Sequence, residues 1–255
     1  MNVLKTLVVA FSMYSAIPMP HLEWDAKNMR YAMIAFPFIG VVTGLLVWGW
    51  CALCGAAGFG PMLLAAGLTL IPVAVSGAIH LDGFCDTADA IASHAERERK
   101  LEIMKDSHTG AFAVIAMCCY FVAYFALCAT IVPTPTVILC LGALYVLVRA
   151  ASGLAVASFP CAKDSGLVHA FADAAAKRGV RVGEIVIIAI LAVVLVCFGG
   201  WYGIAVLVAV ALMFGIYHLT ARLLFGGITG DVAGWFLQWA ELLGVAALVI
   251  VQALL

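Results

Sequence analysis

The chain has 255 residues, 66% of them hydrophobic, and its 13 basic and 14 acidic residues leave a net charge of −1. A soluble domain cannot bury so large an apolar fraction, so the composition selects an all-α, polytopic transmembrane helical bundle. The near-neutral balance, without a long basic stretch, excludes a nucleic-acid partner.

Residues 3–17 read as an apolar or interfacial helix stopped by Pro18 and Pro20, with no signal-peptide cleavage pattern. About seven spans follow, at 31–56, 61–81, 110–132, 136–158, 184–199, 201–222 and 236–254. Gly40-x-x-x-Gly44 predicts close packing of the first span on a neighbour, and Pro37 and Pro72 are expected to kink their spans. The 9 cysteines, including Cys51-x-x-Cys54 and Cys118-Cys119, read as small packing residues rather than redox or zinc groups.

Basic residues occupy alternate connections. Lys5, Lys27 and Arg30 precede the first span, and Arg97, Arg99, Lys100 and Lys105 follow the second. Lys163, Lys177, Arg178 and Arg181 follow the fourth, and Arg222 borders the polar segment 223–235. The positive-inside rule then puts the N-terminus and these polar loops on the cytoplasmic side. No linker or internal repeat divides the chain, so residues 1–255 form one integral-membrane domain.

Chemistry concentrates after the second span, where 11 of the charged residues fall between Asp82 and Asp106. A helix advances about 100° per residue, which places Asp86 about 40° to one side of Asp82 and Asp89 about 20° to the other. Three carboxylates on one face repel, and no Lys or Arg intervenes before Arg97. A hard divalent cation such as Mg²⁺ is the simplest neutraliser; a solvated acidic helix face is the alternative.

Ser93-His94-Ala95-Glu96 fits a capping box and predicts a helix from Ser93, with Leu101 and Met104 as its apolar side. Lys105, Ser107 and Thr109 offer groups for a phosphate. Asp106 reads equally as a fourth ligand or as the cap of the third span. Arg149 lies inside the fourth span, where it needs a carboxylate or phosphate partner unless it snorkels to the interface. The segment from Gly226 to Gly234 suits either an anion-cradling nest or a plain turn between helices, with Asp231 inside it and Glu241 beyond. It lacks the G-K-[ST] of a Walker loop.

Three blocks carry a resemblance: His80-Leu81-Asp82-Gly83-x-x-Asp86-Thr87-Ala88-Asp89, Glu102-Ile103-Met104-Lys105-Asp106-Ser107-x-x-Gly110 and Gly226-Gly227-x-Thr229-Gly230-Asp231. With Ile17-Pro18-Met19-Pro20 and Phe36-Pro37-x-x-Gly40 upstream, they resemble the signature blocks of the cobalamin-5′-phosphate synthase family, also called adenosylcobinamide-GDP ribazoletransferase. The resemblance runs from about residue 11 to Glu241. Ala16, Ala90 and Gln238 depart from the residues more usual at those places; none touches the three aspartates.

The resemblance implies a Mg²⁺-dependent transfer joining adenosylcobinamide-GDP to α-ribazole or its 5′-phosphate, which gives adenosylcobalamin or its 5′-phosphate and GMP. On that reading Asp82, Asp86 and Asp89 hold the metal, and Asp106 is a further ligand or a general base. Lys105, Ser107, Arg149, Gly227, Thr229, Gly230, Asp231 and Glu241 bind substrate, with His80 at the rim of the site. The implied setting is the bacterial cytoplasmic membrane, with the site facing the cytoplasm. Membrane lipid is a partner there, and a homo-oligomer or other cobalamin-assembly enzymes are further candidate partners.

Two rival readings fit less well. The D-x-x-D-G-x-x-A-R pattern of CDP-alcohol phosphotransferases is absent, because Ile79 stands where its first Asp belongs and no Ala-Arg follows at 86–87. A transporter expects its carboxylates near the bilayer midplane rather than clustered at one surface.

Overall fold

The computed structural model describes residues 3–20, 29–162 and 175–255. Among these the chain forms α1 (Val3–Tyr14), α2 (Ala32–Ala57), α3 (Pro61–Ser76), α4 (Ile79–Ala92), α5 (Arg97–Ile103) and α6 (Ala111–Thr130). It continues with α7 (Pro135–Ser158), α8 (Lys177–Thr220, ending in a π-helical turn, Ala221–Phe225) and α9 (Gly230–Leu254). No strand occurs among the described residues, only one bridge between Cys161 and Ile228.

Among the described residues five helical segments are long and apolar enough to cross a membrane, and six if the bent pair α3–α4 counts as one span. The protein is therefore a multi-pass helical membrane protein. Lys27 and Lys163, part of the basic-residue count, lie outside the described residues.

Local sequence explains the starts and stops. Pro61 and Pro135 open α3 and α7, where their missing N–H groups go unneeded, and Thr134 caps α7 by accepting from Val137 N–H at 3.3 Å. The expected span 61–81 does not run straight through. Gly77 and Ala78 both take left-handed φ, 62° and 64°, which ends α3 and turns α4 through 93°. The predicted helix from Ser93 begins instead at Arg97. Ser93 Oγ accepts from Ala95 N–H at 3.2 Å and donates to Ala90 O at 2.7 Å, so it finishes α4 rather than starting α5.

Expected spans 184–199 and 201–222 lie within α8, which begins already at Lys177. Gly200 interrupts it with φ 54°, ψ −131°. A Cβ placed on Gly203 would lie 2.9 Å from Leu195 Cα. Eight residues along a straight helix span about 12 Å, so the chain folds back at Gly200.

The centre of the bundle is α7, with Leu141, Leu144, Tyr145 and Val148 buried, packed against α2, α8 and α9. Gly40 and Gly44 are the seam with α2. A Cβ on Gly40 would meet Val146 Cα at 2.7 Å, and one on Gly44 would meet Gly142 Cα at 2.9 Å. The small-residue pattern thus does what the sequence implied: it lets two backbones touch. Outward-facing Leu45, Trp48, Val122, Phe198 and Leu212 are exposed, as suits a surface solvated by lipid. All 9 cysteines are free, and Cys51 and Cys54 are buried packing groups.

Gly40→Leu should therefore lower stability by about 1–3 kcal/mol through over-packing. The same change at Gly49, where an added Cβ meets nothing, should be close to neutral. Thermal unfolding of both variants in detergent checks this contrast.

Candidate active site

The left-handed pair at 77–78 sets α4 at the end of the bundle and makes it a helix from Ile79 onward. Asp82, Asp86 and Asp89 then lie on its outer face. Phe84 on the opposite face, with Leu81, Cys85 and Ala90 on the flanks, is buried and anchors the helix. Phe84 packs on Tyr120 of α6 and Trp239 of α9, with ring centroids 5.4 and 6.1 Å apart. The acidic face is thus fixed from beneath by an aromatic floor.

The N-terminal turn of α9 brings a fourth carboxylate. A Cβ added to Gly83 would meet Asp231 Cα at 2.7 Å, and one added to Gly234 would meet His80 O at 2.8 Å. Two glycines therefore let α4 and α9 cross in backbone contact, with Asp231 against the acidic face. Asp86 registers the result: its pKa is pushed up to about 6, first by burial and then by the charges of Asp82, Asp231 and Asp89. Sequence reasoning placed Asp231 with a phosphate-binding loop, and the structure sets it among the carboxylates.

That position has a local signal. Thr229 Oγ1 accepts from Val232 N–H at 3.1 Å, an N-cap followed by an acidic first turn, so α9 starts at Gly230 and not at 236.

Asp89 has a second role. Its two oxygens accept from Gly110 N–H at 2.7 Å and Ala113 N–H at 2.8 Å, so it caps α6 from across the site. This overturns the reading of Asp106 as the cap of that helix. Asp106 is exposed, accepts from His108 N–H at 3.0 Å, and lies 2.7 Å from the His108 ring. Those contacts hold its pKa below the usual carboxylate range. It is not among the charges acting on Asp86. Lys105, Ser107 and Thr109 are exposed on the same connection.

Arg149 finds its partner inside the protein. Its Nη1 donates to Glu241 Oε1 at 3.0 Å and to Tyr145 O at 2.8 Å, and both side chains of the pair are almost wholly buried, at 1% and 2% exposure. Arg149 therefore does not snorkel. His80 lies within α4 rather than at a rim, buried against Phe36 with ring centroids 5.7 Å apart, and its Nε2 has no hydrogen-bond partner.

In the glycine segment, Gly227 N–H donates to Ala221 O and Ile228 N–H to Pro160 O, each at 2.9 Å. These two amides hold the turn together, which leaves less of the backbone for an anion than a nest requires.

Among the described residues no three His, Cys, Asp or Glu side chains close around a single point. The group of Asp82, Asp86 and Asp231 is nevertheless an all-oxygen, hard donor set under mutual repulsion. Mg²⁺ takes one or two carboxylates of this kind, with water and phosphate oxygens as its remaining ligands.

A family model described as Cobalamin-5-phosphate synthase matches residues 6–249. A protein of Lachnoclostridium phytofermentans named adenosylcobinamide-GDP ribazoletransferase is 40% identical over 255 residues, covering 100% of this chain and 97% of its own. Proteins of the same name from Clostridium botulinum and Listeria monocytogenes are 33% and 30% identical. They cover 96% and 98% of this chain and 96% and 100% of their own. No solved structure matches.

Removing one member of a buried ion pair strands the other, so Arg149→Met and Glu241→Met should each cost about 3–5 kcal/mol. The double variant should recover most of that loss. Thermal unfolding of the three proteins checks the coupling, and independent additive losses would disprove it.

Proposed function

The chain belongs to the cobalamin-5-phosphate synthase family, and on that premise we propose that it joins adenosylcobinamide-GDP to α-ribazole or α-ribazole 5′-phosphate. The products are adenosylcobalamin or its 5′-phosphate, and GMP. The observation that carries the site is the crossing of α4 and α9, which gathers Asp82, Asp86 and Asp231 with Asp89 beside them. A substrate pyrophosphate is itself anionic, so it approaches these carboxylates only with a counter-cation between them.

Asp82, Asp86 and Asp231 would hold Mg²⁺, which when bound offsets charge on the pyrophosphate and on the departing GMP. Asp89 positions α4 relative to α6 through the Gly110 and Ala113 amides, and so keeps the acidic face in register. In the reaction a ribazole hydroxyl oxygen forms a bond to the phosphorus on the corrinoid arm and loses its proton. The bond from that phosphorus to the bridging oxygen breaks, and GMP leaves with the electron pair.

Lys105 and Ser107, exposed beside the site, are available to the phosphates of an incoming substrate, as is Asp106 to a second ion or to the hydroxyl proton. Arg149 and Glu241 support the site from within. The setting proposed is a bacterial cytoplasmic membrane, with the acidic face toward the cytoplasm, where the nucleotide donor is found.

Purified protein in detergent, given both substrates, should release GMP with Mg²⁺ and not with EDTA. Asp86→Asn should reduce turnover by at least about 100-fold, and Asp89→Asn by about 10–100-fold as a positioning loss. Undiminished turnover in EDTA would remove the metal from the scheme, and full activity of Asp86→Asn would remove the site.

A further inference from the structure

A second polar feature lies at the other end of the glycine segment. A cavity of about 420 Å³ is walled by Phe159, Pro160 and the turn Gly226–Ile228, and three cationic or titratable side chains line it: Arg97, Arg222 and His218. Its volume falls within the range of small-molecule sites. Two larger concavities, of about 560 and 570 Å³, are lined by apolar side chains of the lipid-facing helices.

The cationic lining is assembled from distant parts of the chain. Arg97 opens α5 and lies over Gly226, where an added Cβ would sit 2.7 Å from Nη1 and 2.8 Å from Cζ. Gly226 has φ 78°, so the turn itself favours the residue that leaves room for the guanidinium. Arg222 comes from the π-helical turn. The His218 ring is held at the wall by Phe159, with centroids 4.5 Å apart.

Among the described residues neither arginine has an ion-pair partner. The ion pairs among the described residues are Arg99–Glu102, His108–Asp106 and Arg149–Glu241, and none involves Arg97 or Arg222. Two guanidinium groups lining one cavity repel each other, and an anion that bridges them removes the repulsion. Their forked donors match phosphate oxygens.

Position ties the cavity to the carboxylates. Gly226 and Asp231 are five residues apart, so the chain between them spans at most about 18 Å. The turn is fixed by the amides of Gly227 and Ile228 and by Ala162 N–H, which donates to Ile228 O at 2.9 Å. A cation-lined cavity and an anionic cluster thus sit at the two ends of one short, tethered segment.

We propose that Arg97, Arg222 and His218 form a phosphate-binding subsite, with the two arginines gripping one phosphate group. The inference rests on the ribazoletransferase reading for its principal source: a phosphate of the nucleotide donor or of the acceptor, held away from the carboxylates. An anionic lipid headgroup offers the same chemistry, and the test separates the two.

R97Q, R222Q and R222K are compared with wild type for kcat and KM toward both substrates, for equilibrium binding of GMP, and for phosphatidylglycerol retained in native mass spectrometry. Both arginines are exposed, so these changes spare the core, and size-exclusion profiles verify folding. For a substrate phosphate, the expected result is a KM or GMP dissociation constant raised about tenfold or more, with kcat little changed and R222K partly restored. Unchanged substrate constants with loss of retained phosphatidylglycerol assign the subsite to a headgroup. If substrate constants, GMP binding and lipid retention all stay as in wild type, the subsite is overturned. Absence of turnover by wild type itself would instead count against the ribazoletransferase reading, while GMP binding and lipid retention still decide the subsite.

Discussion

The mutual repulsion of four carboxylates is the constraint around which this molecule is arranged. Asp82, Asp86 and Asp89 share a face of α4, and the backbone-close crossing with α9 adds Asp231. Asp86 registers the crowding, its pKa raised by burial and then by the charges of Asp82, Asp231 and Asp89. The fold brings these like charges together, and a cation held among them would relieve the repulsion. A site of this kind binds cation and anion together better than either alone, which suits pyrophosphate chemistry.

Holding the group together requires strong local anchoring. Beneath the acidic face, Phe84 is wedged against Tyr120 and Trp239, and Tyr120 continues to Tyr124, whose hydroxyl lies 3.2 Å from that of Tyr145. At the far end of α4, Asp89 satisfies two amides at the start of α6. These contacts tie α4 to α6, α7 and α9, so the three helices that meet the site cannot shift independently.

Charge inside the bundle follows a different rule from charge at its end. Arg149 and Glu241 are closed on each other and excluded from solvent, because an unpaired ion in that environment is too costly to retain. At the end of the bundle, Arg97 and Arg222 are exposed and uncompensated among the described residues. There water screens them. The buried Arg149–Glu241 pair belongs to the scaffold, whereas the charges at the end of the bundle stay open to solvent.

The membrane class, the helices and the shared face of Asp82, Asp86 and Asp89 were legible in the sequence, because hydrophobic composition and the 3.6-residue repeat are local properties. The role of Gly40 and Gly44 was legible for the same reason. What composition and periodicity left open was every relation between distant segments. Whether Arg149 faced Glu241, a phosphate or the interface depended on which helix packed beside α7. That Asp89 and not Asp106 caps α6 depended on the turn at Gly77–Ala78, which swings α4 across the start of that helix. The closeness of Asp231 to Asp86 depended on two glycines, Gly83 and Gly234, being opposed across a helix crossing. Helical periodicity determines which side chains share a face; only tertiary packing decides which faces meet, because the energy of a contact exists only once both partners are in place.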